Sequence, residues 1–499
     1  MRKRRAVFAL ILAIASIALL ALLMTAGGSV TSAPSGTSGQ EQELDGGHEK
    51  GGATEAQEQA QEAAERLDAW KEAKAAGTLR VSRAQVQAAA APPAGWAGEQ
   101  VVSSTADDWE PAIAADPNAP YVYLLTTRYT GPTACGNKCP LPYIMLKVSS
   151  DGGATWGPDR FICTCSGVGS QADPIIEVVP NTGAVYAVFM NGYNVMFTKS
   201  TDHGATWSTP TKTYGKVSWN DKPILAVSDN GNDVYVSWNG PTSGDPYVAQ
   251  SHDGGTTWTQ TKIVNSTRYY FAFDGDVLPN GTVVFSETSL DYGGPGSSLV
   301  GQAQVNVLRS TNSGQSFTAT VIDSVELAPD CTAAGCTPDY YPGHSAITAD
   351  SAGTLVLLYD GATVSKGNET IWSRRSTDGG ANWSARQALS TPGEMADFPA
   401  AEARGAGDVR VWYMQTNGGN FDAWNVWYRA STDGGATWGA PVKISDVTAG
   451  ATYKTANGFL EPYGDYGEAA ITNTGKFIGT WGEGNSYTGP GGVWFNRQT

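Results

Sequence analysis

The stretch Ser149-Ser150-Asp151-Gly152-Gly153-Ala154-Thr155-Trp156 decides how this chain folds, because close copies of it recur five more times. They run from Ser200 to Trp207, Ser251 to Trp258, Ser310 to Phe317, Ser376 to Trp383 and Ser431 to Trp438. In each full copy an acid (Asp151, Asp202, Asp253, Asp378, Asp433) can accept hydrogen bonds from the N–H groups of a tight turn. The glycines supply the positive φ that such a hairpin requires, and the terminal aromatic ring can tuck between adjacent sheets. The fourth copy is degenerate, with Asn312 and Phe317 in place of Asp and Trp. A hairpin clamp repeated about every 56 residues marks an array of similar β-modules, and its acids read as scaffold.

A second signature lies upstream of each clamp: an acidic or polar lead-in, an alternating apolar run, a turn and a second alternating run. Asp173-Pro174-Ile175-Ile176 with Ala184 to Phe189 is one example, and Asp397-Phe398-Pro399 with Val409 to Tyr413 is another. Period-two alternation of this kind predicts strands. The signature occurs seven times, near Pro111, Pro174, Pro223, Phe273, His344, Pro399 and Gly467. The seventh copy, ending in Gly492-Val493-Trp494-Phe495, carries no clamp, and Glu99-Gln100-Val101-Val102 is the strand available to complete it. Residues 98–499 therefore read as an all-β, seven-bladed β-propeller of four-stranded antiparallel blades, closed by pairing its two ends. Six blades is the alternative, since the signature around Phe273 is weak.

Sixty glycines, sixteen tryptophans and twenty-one tyrosines suit many short strands and tight turns. Ahead of the propeller, Arg2-Lys3-Arg4-Arg5 and the uncharged run from Ala6 to Ala26 read as a signal peptide or an uncleaved signal-anchor, residues 1–26. Either places the propeller outside the cytoplasm, secreted or held at the membrane by a single N-terminal span. Residues 27–53 read as a flexible linker, 54–77 as a helix with Thr54 and Gln57 as a capping box, and 78–97 as a second linker. The net charge of −16 disfavours nucleic acid as a partner.

Six cysteines in an exported chain read as disulfides: Cys135, Cys139, Cys163, Cys165, Cys331 and Cys336. Cys163 and Cys165 are awkwardly spaced to bond each other, so each is expected to pair with one of Cys135 and Cys139.

The clamps resemble the Asp-boxes, or bacterial neuraminidase repeats, of the sialidase superfamily. That resemblance implies a propeller whose arginine triad grips a substrate carboxylate, with an acid/base aspartate and a tyrosine nucleophile. The first of those arginines precedes Ile-Pro on the first inner strand, where this chain has Trp109-Glu110-Pro111.

The lead-ins to the inner strands carry acids instead: Asp108, Glu110, Asp173, Asp221, Asp397 and Asp465, with Glu468 close behind. Aromatic residues share these segments, among them Trp109, Phe398 and Tyr466. Paired carboxylates beside aromatic rings suit hydrolysis of a neutral glycan. Asp397, Asp465 and Glu468 are the catalytic candidates, and Asp108, Trp109, Glu110, Asp173, Asp221 and Tyr466 the ligand-binding ones. No cofactor is required by this chemistry, although an acidic ring also suits Ca²⁺. The bland alternative is that each acid caps its loop and holds backbone N–H groups of the next blade. Two functions follow: an extracytoplasmic, sialidase-like glycoside hydrolase, or a membrane-tethered propeller that binds a glycan or a protein without chemistry.

Overall fold

The computed structural model describes residues 90–499 apart from 104–105, 140–141, 165–169, 218–219, 241–243, 292–299, 328–342, 447, 449–466 and 485–490. The expected export segment, first linker and helix lie outside the described residues, as does the second linker up to residue 89. No helix among the described residues is long and apolar enough to cross a membrane.

Seven four-stranded antiparallel sheets form the seven blades. Their inner strands are Asp107–Ala115, Gln171–Val178, Asp221–Val227, Tyr269–Val277, Ser345–Ala349, Ala396–Ala403 and Glu468–Ile471. The weak signature around Phe273 is a full nine-residue strand in blade 4. Blade 7 takes its outer strand from the front of the propeller: Gln100 pairs with Phe495 and Val101 with Trp494. Apolar packing closes the same seam, since Ile113, Val122 and Leu124 of blade 1 share a buried cluster with Ala470 and Ile478 of blade 7. Ahead of that strand, Trp96 is buried edge-on against Tyr428 of blade 6 and Phe477 of blade 7.

Each clamp folds as its sequence dictates. In the first, Ser149 Oγ donates to Asp151 Oδ1 (2.8 Å) and accepts from Gly153 N (2.9 Å). Thr155 donates its N–H to Asp151 Oδ1 (2.8 Å) and its hydroxyl to Oδ2 (2.6 Å). Gly153 has φ +82°, and a Cβ there would stand 2.7 Å from Ile478 Cδ1 of blade 7, so both backbone angle and close approach demand glycine. In the degenerate copy Asn312 keeps the pattern, accepting from Ser316 N and donating to Ser316 Oγ. The clamp rings pack against neighbouring blades, Trp156 edge-on to Phe495 at 5.5 Å and Trp258 to Phe197 at 5.3 Å.

The expected cysteine pairing is corrected. Cys135 bonds Cys139 across a single turn of 3-10 helix, Gly136–Lys138, which brings their Cα atoms to 5.6 Å. Cys163 is also disulfide-bonded, to a partner outside the described residues. Cys165, Cys331 and Cys336 lie outside them.

Candidate functional site

Four inner strands are kinked at the end opposite the clamps, and the sequence shows why. Proline lacks the N–H that a strand ladder needs, so Pro111, Pro174, Pro223 and Pro399 each sit within a bulge. The residue before each proline takes positive φ: Glu110 (+53°), Asp173 (+50°), Lys222 (+47°) and Phe398 (+53°). Non-glycine residues in that region are strained, and four of them ring the channel mouth.

His344 stands at this mouth, immediately ahead of the inner strand of blade 5. Its Nδ1 lies 3.2 Å from Asp360 Oδ2 and 3.0 Å from Asp397 Oδ1. Asp360 follows the second strand of blade 5, and its N–H donates to His344 O at 3.1 Å, which fixes the two residues across one ladder. Asp397 comes from blade 6 and also accepts from Phe398 N at 2.7 Å. All three side chains are at most 3 % exposed. Burial pushes the Asp360 carboxyl well above the usual carboxylate range, and the neighbouring Asp397 pushes it further. The neutral form of Asp360 is thereby favoured, and the His344 imidazole bridges the two carboxyls. Aromatic rings flank the histidine, Phe398 at 4.3 Å and Phe273 at 5.0 Å between ring centres. The donor atoms of His344, Asp360 and Asp397 all lie within 4.8 Å of one another, a spacing that a metal ion can also bridge.

A small cavity of about 30 Å³, room enough for water, opens among Phe273, His344, Ser345, Phe398, Pro399, Gly467 and Glu468. Glu468 Oε2 accepts from Ile113 N of blade 1 at 2.8 Å. Burial, then the nearby Glu177, drives the Glu468 carboxyl well above its ordinary value. A histidine bridging two carboxyls and a glutamic acid whose neutral form is favoured by burial thus border one cavity. A proton acceptor and a proton donor on one cavity can serve as base and acid.

The other acids are placed differently. Asp108 is fully committed to Arg128, receiving Nε at 2.7 Å and Nη2 at 2.9 Å, and both residues are about 1 % exposed. Glu110 accepts from Tyr129 OH (2.5 Å), Thr127 Oγ1 (2.5 Å) and, across to blade 2, Asp173 N (3.1 Å). Trp109 is completely enclosed and packs with Tyr129. These three serve the packing of blades 1 and 2 rather than an open binding surface, because the bulge at Glu110-Pro111 turns them inward. Asp173 and Asp221 are buried at the mouth. Asp465 and Tyr466 lie outside the described residues. Arg268 is engaged away from the channel, donating to the carbonyls of Ser289 and Gln302.

No protein-family model matches the sequence, and no curated protein matches it. In fold the chain is similar to several solved structures. One is a protein of unknown function from Dyadobacter fermentans, 15% identical over 81% of this chain and 99% of that one, with a TM-score of 0.45. Another is an ulvan lyase, 11% identical over 80% and 94%, with a TM-score of 0.47. A third is the intramolecular trans-sialidase of Ruminococcus gnavus, 14% identical over 82% and 97%, with a TM-score of 0.42.

No sequence motif marks Asp360, because it sits after the second strand of its blade, away from the acidic lead-ins. Its signal was its place directly across the hairpin from His344, which strand register supplies and composition does not.

Proposed function

We propose that this propeller cleaves a glycan at the channel mouth, outside the cytoplasm, with His344 as general base and Glu468 as general acid. The observation that carries the reading is the buried His344, gripped through Nδ1 by Asp397 beside Asp360, on a cavity shared with Glu468 and two phenyl rings. The clamp repeats, which resemble those of the sialidase superfamily, support a glycan as the substrate class. With Nδ1–H donating to Asp397, the other ring nitrogen is the basic one and can take a proton from water in the cavity. Glu468 can give its proton to the leaving glycosidic oxygen. Phe273 and Phe398 offer apolar faces to the C–H surface of a sugar ring. Asp465 and Tyr466, just ahead of Glu468, belong to the same proposal as substrate contacts.

The test is an assay of the full chain against sialosides, uronate-containing polysaccharides and neutral oligosaccharides, scored by released reducing ends. One class should be cleaved, and His344→Gln should lower its turnover by roughly 10²–10⁴-fold while the protein stays folded. Binding without cleavage would leave the non-catalytic, glycan-holding propeller as the better reading. Neither binding nor cleavage of any class would overturn the glycan proposal.

A further inference from the structure

Away from the channel, a cleft of about 880 Å³ opens on the rim of the propeller between blades 1 and 2. The outer strand of blade 1, Arg160–Phe161, borders it, as does Lys212 from the outer strand of blade 2, Thr211–Lys212. Its volume is that of a site able to hold a small molecule or a short stretch of polymer.

Charge sets the cleft apart from the rest of the molecule. The chain carries a formal net charge of −16, yet the uncommitted charges here are positive. Asp159, the one acid bordering the cleft among the described residues, is engaged by Arg128 Nη1 and Lys147 Nζ, each at 2.6 Å. Arg160 and Lys212 have no acid within ion-pair distance among the described residues. A hydrogen bond from Arg160 Nη1 to the Gly204 carbonyl at 3.3 Å steadies the guanidinium across the blade seam. The Lys212 ammonium lies 5.8 Å from the centre of the Tyr214 ring, on an exposed residue. A guanidinium fork and an ammonium bordering one cleft suit a carboxylate or a sulfate.

The same walls carry rings. Four large apolar side chains are exposed among the described residues, and Phe161, at 37 %, is the aromatic one. It borders the cleft together with the half-buried Trp207 and Tyr214. An aromatic face left in water is a platform for the apolar C–H face of a sugar ring. An acidic peptide also brings apolar groups beside negative charge, but an extended peptide gains its hold by adding to a sheet edge. The two outer strands here are two residues each, which leaves little edge to pair with. Rings and separated cations hold a sugar without any strand ladder.

We propose that this cleft binds an acidic glycan, with Arg160 and Lys212 on its carboxylate or sulfate groups and Phe161 against a sugar face. Binding there involves none of the residues assigned to cleavage. Its consequence for turnover does rest on the glycan-cleavage reading: a polymer held on the rim keeps its remaining length at high effective concentration near the mouth.

The experiment is calorimetric titration of the full chain carrying His344→Gln, so that turnover does not consume the ligand. The probes are an oligogalacturonate, a heparin fragment, the methyl-esterified and desulfated forms of each in turn, and an oligoglutamate. The oligogalacturonate or the heparin fragment should bind, the tighter of the two identifying the anion, and added salt should weaken it. Its neutralised form should bind roughly tenfold more weakly or worse. Arg160→Gln/Lys212→Gln should cost a similar factor and Phe161→Ala a smaller one, with Tm little changed in either. With His344 restored, the double variant should cleave a short soluble substrate at the normal rate, which separates failure here from failure at the mouth. Binding of neither anionic glycan would overturn the proposal. So would an affinity unchanged in the folded double variant, or tighter binding of the oligoglutamate.

Discussion

The two ends of this propeller use the same side chain in opposite ways. At the clamp face, Asp202, Asp378 and Asp433 sit in water and are satisfied within four residues of themselves. The side chains of Thr206, Asn382 and Thr437, followed by the N–H groups of the same residues, hold their carboxyls down at about 2. In the channel, Asp274 and Asp276 bond the backbone of a strand 73 residues away. Burial raises them to about 8 and about 6 against the pull of those N–H groups. Local hydrogen bonds in water stabilise the charged form, whereas enclosure favours the neutral form unless something else supplies the counter-charge. An aspartate with its partners inside its own turn is scaffold, and one that depends on distant strands is a candidate for chemistry or for an ion.

Three experiments can break or sharpen this division. The largest effect is expected at the ring of the first clamp. Trp156 packs on Phe495 across the seam between blades 1 and 7. Trp156→Ala should lower unfolding stability by roughly 2–4 kcal/mol and leave turnover per folded molecule unchanged. A large loss of activity in protein that melts normally would break the division.

The second is the pH profile of Tm. The clamp carboxyls are lowered on folding, so their contribution is present above about pH 4 and is lost as pH falls towards 2. Asp276, Asp274 and the buried Glu287 are raised on folding, to about 6, 8 and 8. Desolvation is the main cause in each case, and at Glu287 a hydrogen bond from Ser237 opposes it. Their contribution is present below about pH 4 and is lost as pH rises through 6 to 8. Stability should therefore be greatest near pH 4–6. A Tm that climbs from pH 6 to 9 would contradict the upward shift of these acids.

The smallest effect is expected from Asp151→Ala, which removes exposed, local hydrogen bonds. A fall in Tm of roughly 1–2 °C should follow, with no change at the mouth. No fall at all would show that the glycines and tryptophan carry the clamp without its acid.

The same contrast explains what could be read in the sequence. Blade number was legible because each clamp is closed by residues two and four apart, so the motif Ser149 to Trp156 contains its own partners. Closure through Val101 and Trp494 was legible because one blade lacked a strand and one strand lacked a blade. The disulfide was misread because the turn at Gly136–Lys138, invisible in spacing alone, lets Cys139 double back on Cys135. Acids at the lead-ins were found, but their roles were not. Asp108 was spoken for by Arg128, 20 residues on, and Asp360 joined His344 only through strand register and Asp397 only through the packing of blade 5 on blade 6. The channel acids carried a weaker signal: Asp274 and Asp276 alternate on one inner strand, which puts two charges on the same face of it.

The most direct measurement is a crystal structure of the Glu468→Gln protein with an oligosaccharide of whichever class the wild type cleaves. The account predicts the sugar at the channel mouth, between Phe273 and Phe398, with its scissile oxygen within hydrogen-bond reach of residue 468 and His344 beneath it. Sugar held only in the rim cleft between blades 1 and 2, beside Phe161 and Trp207, or only at the clamp face, would contradict it.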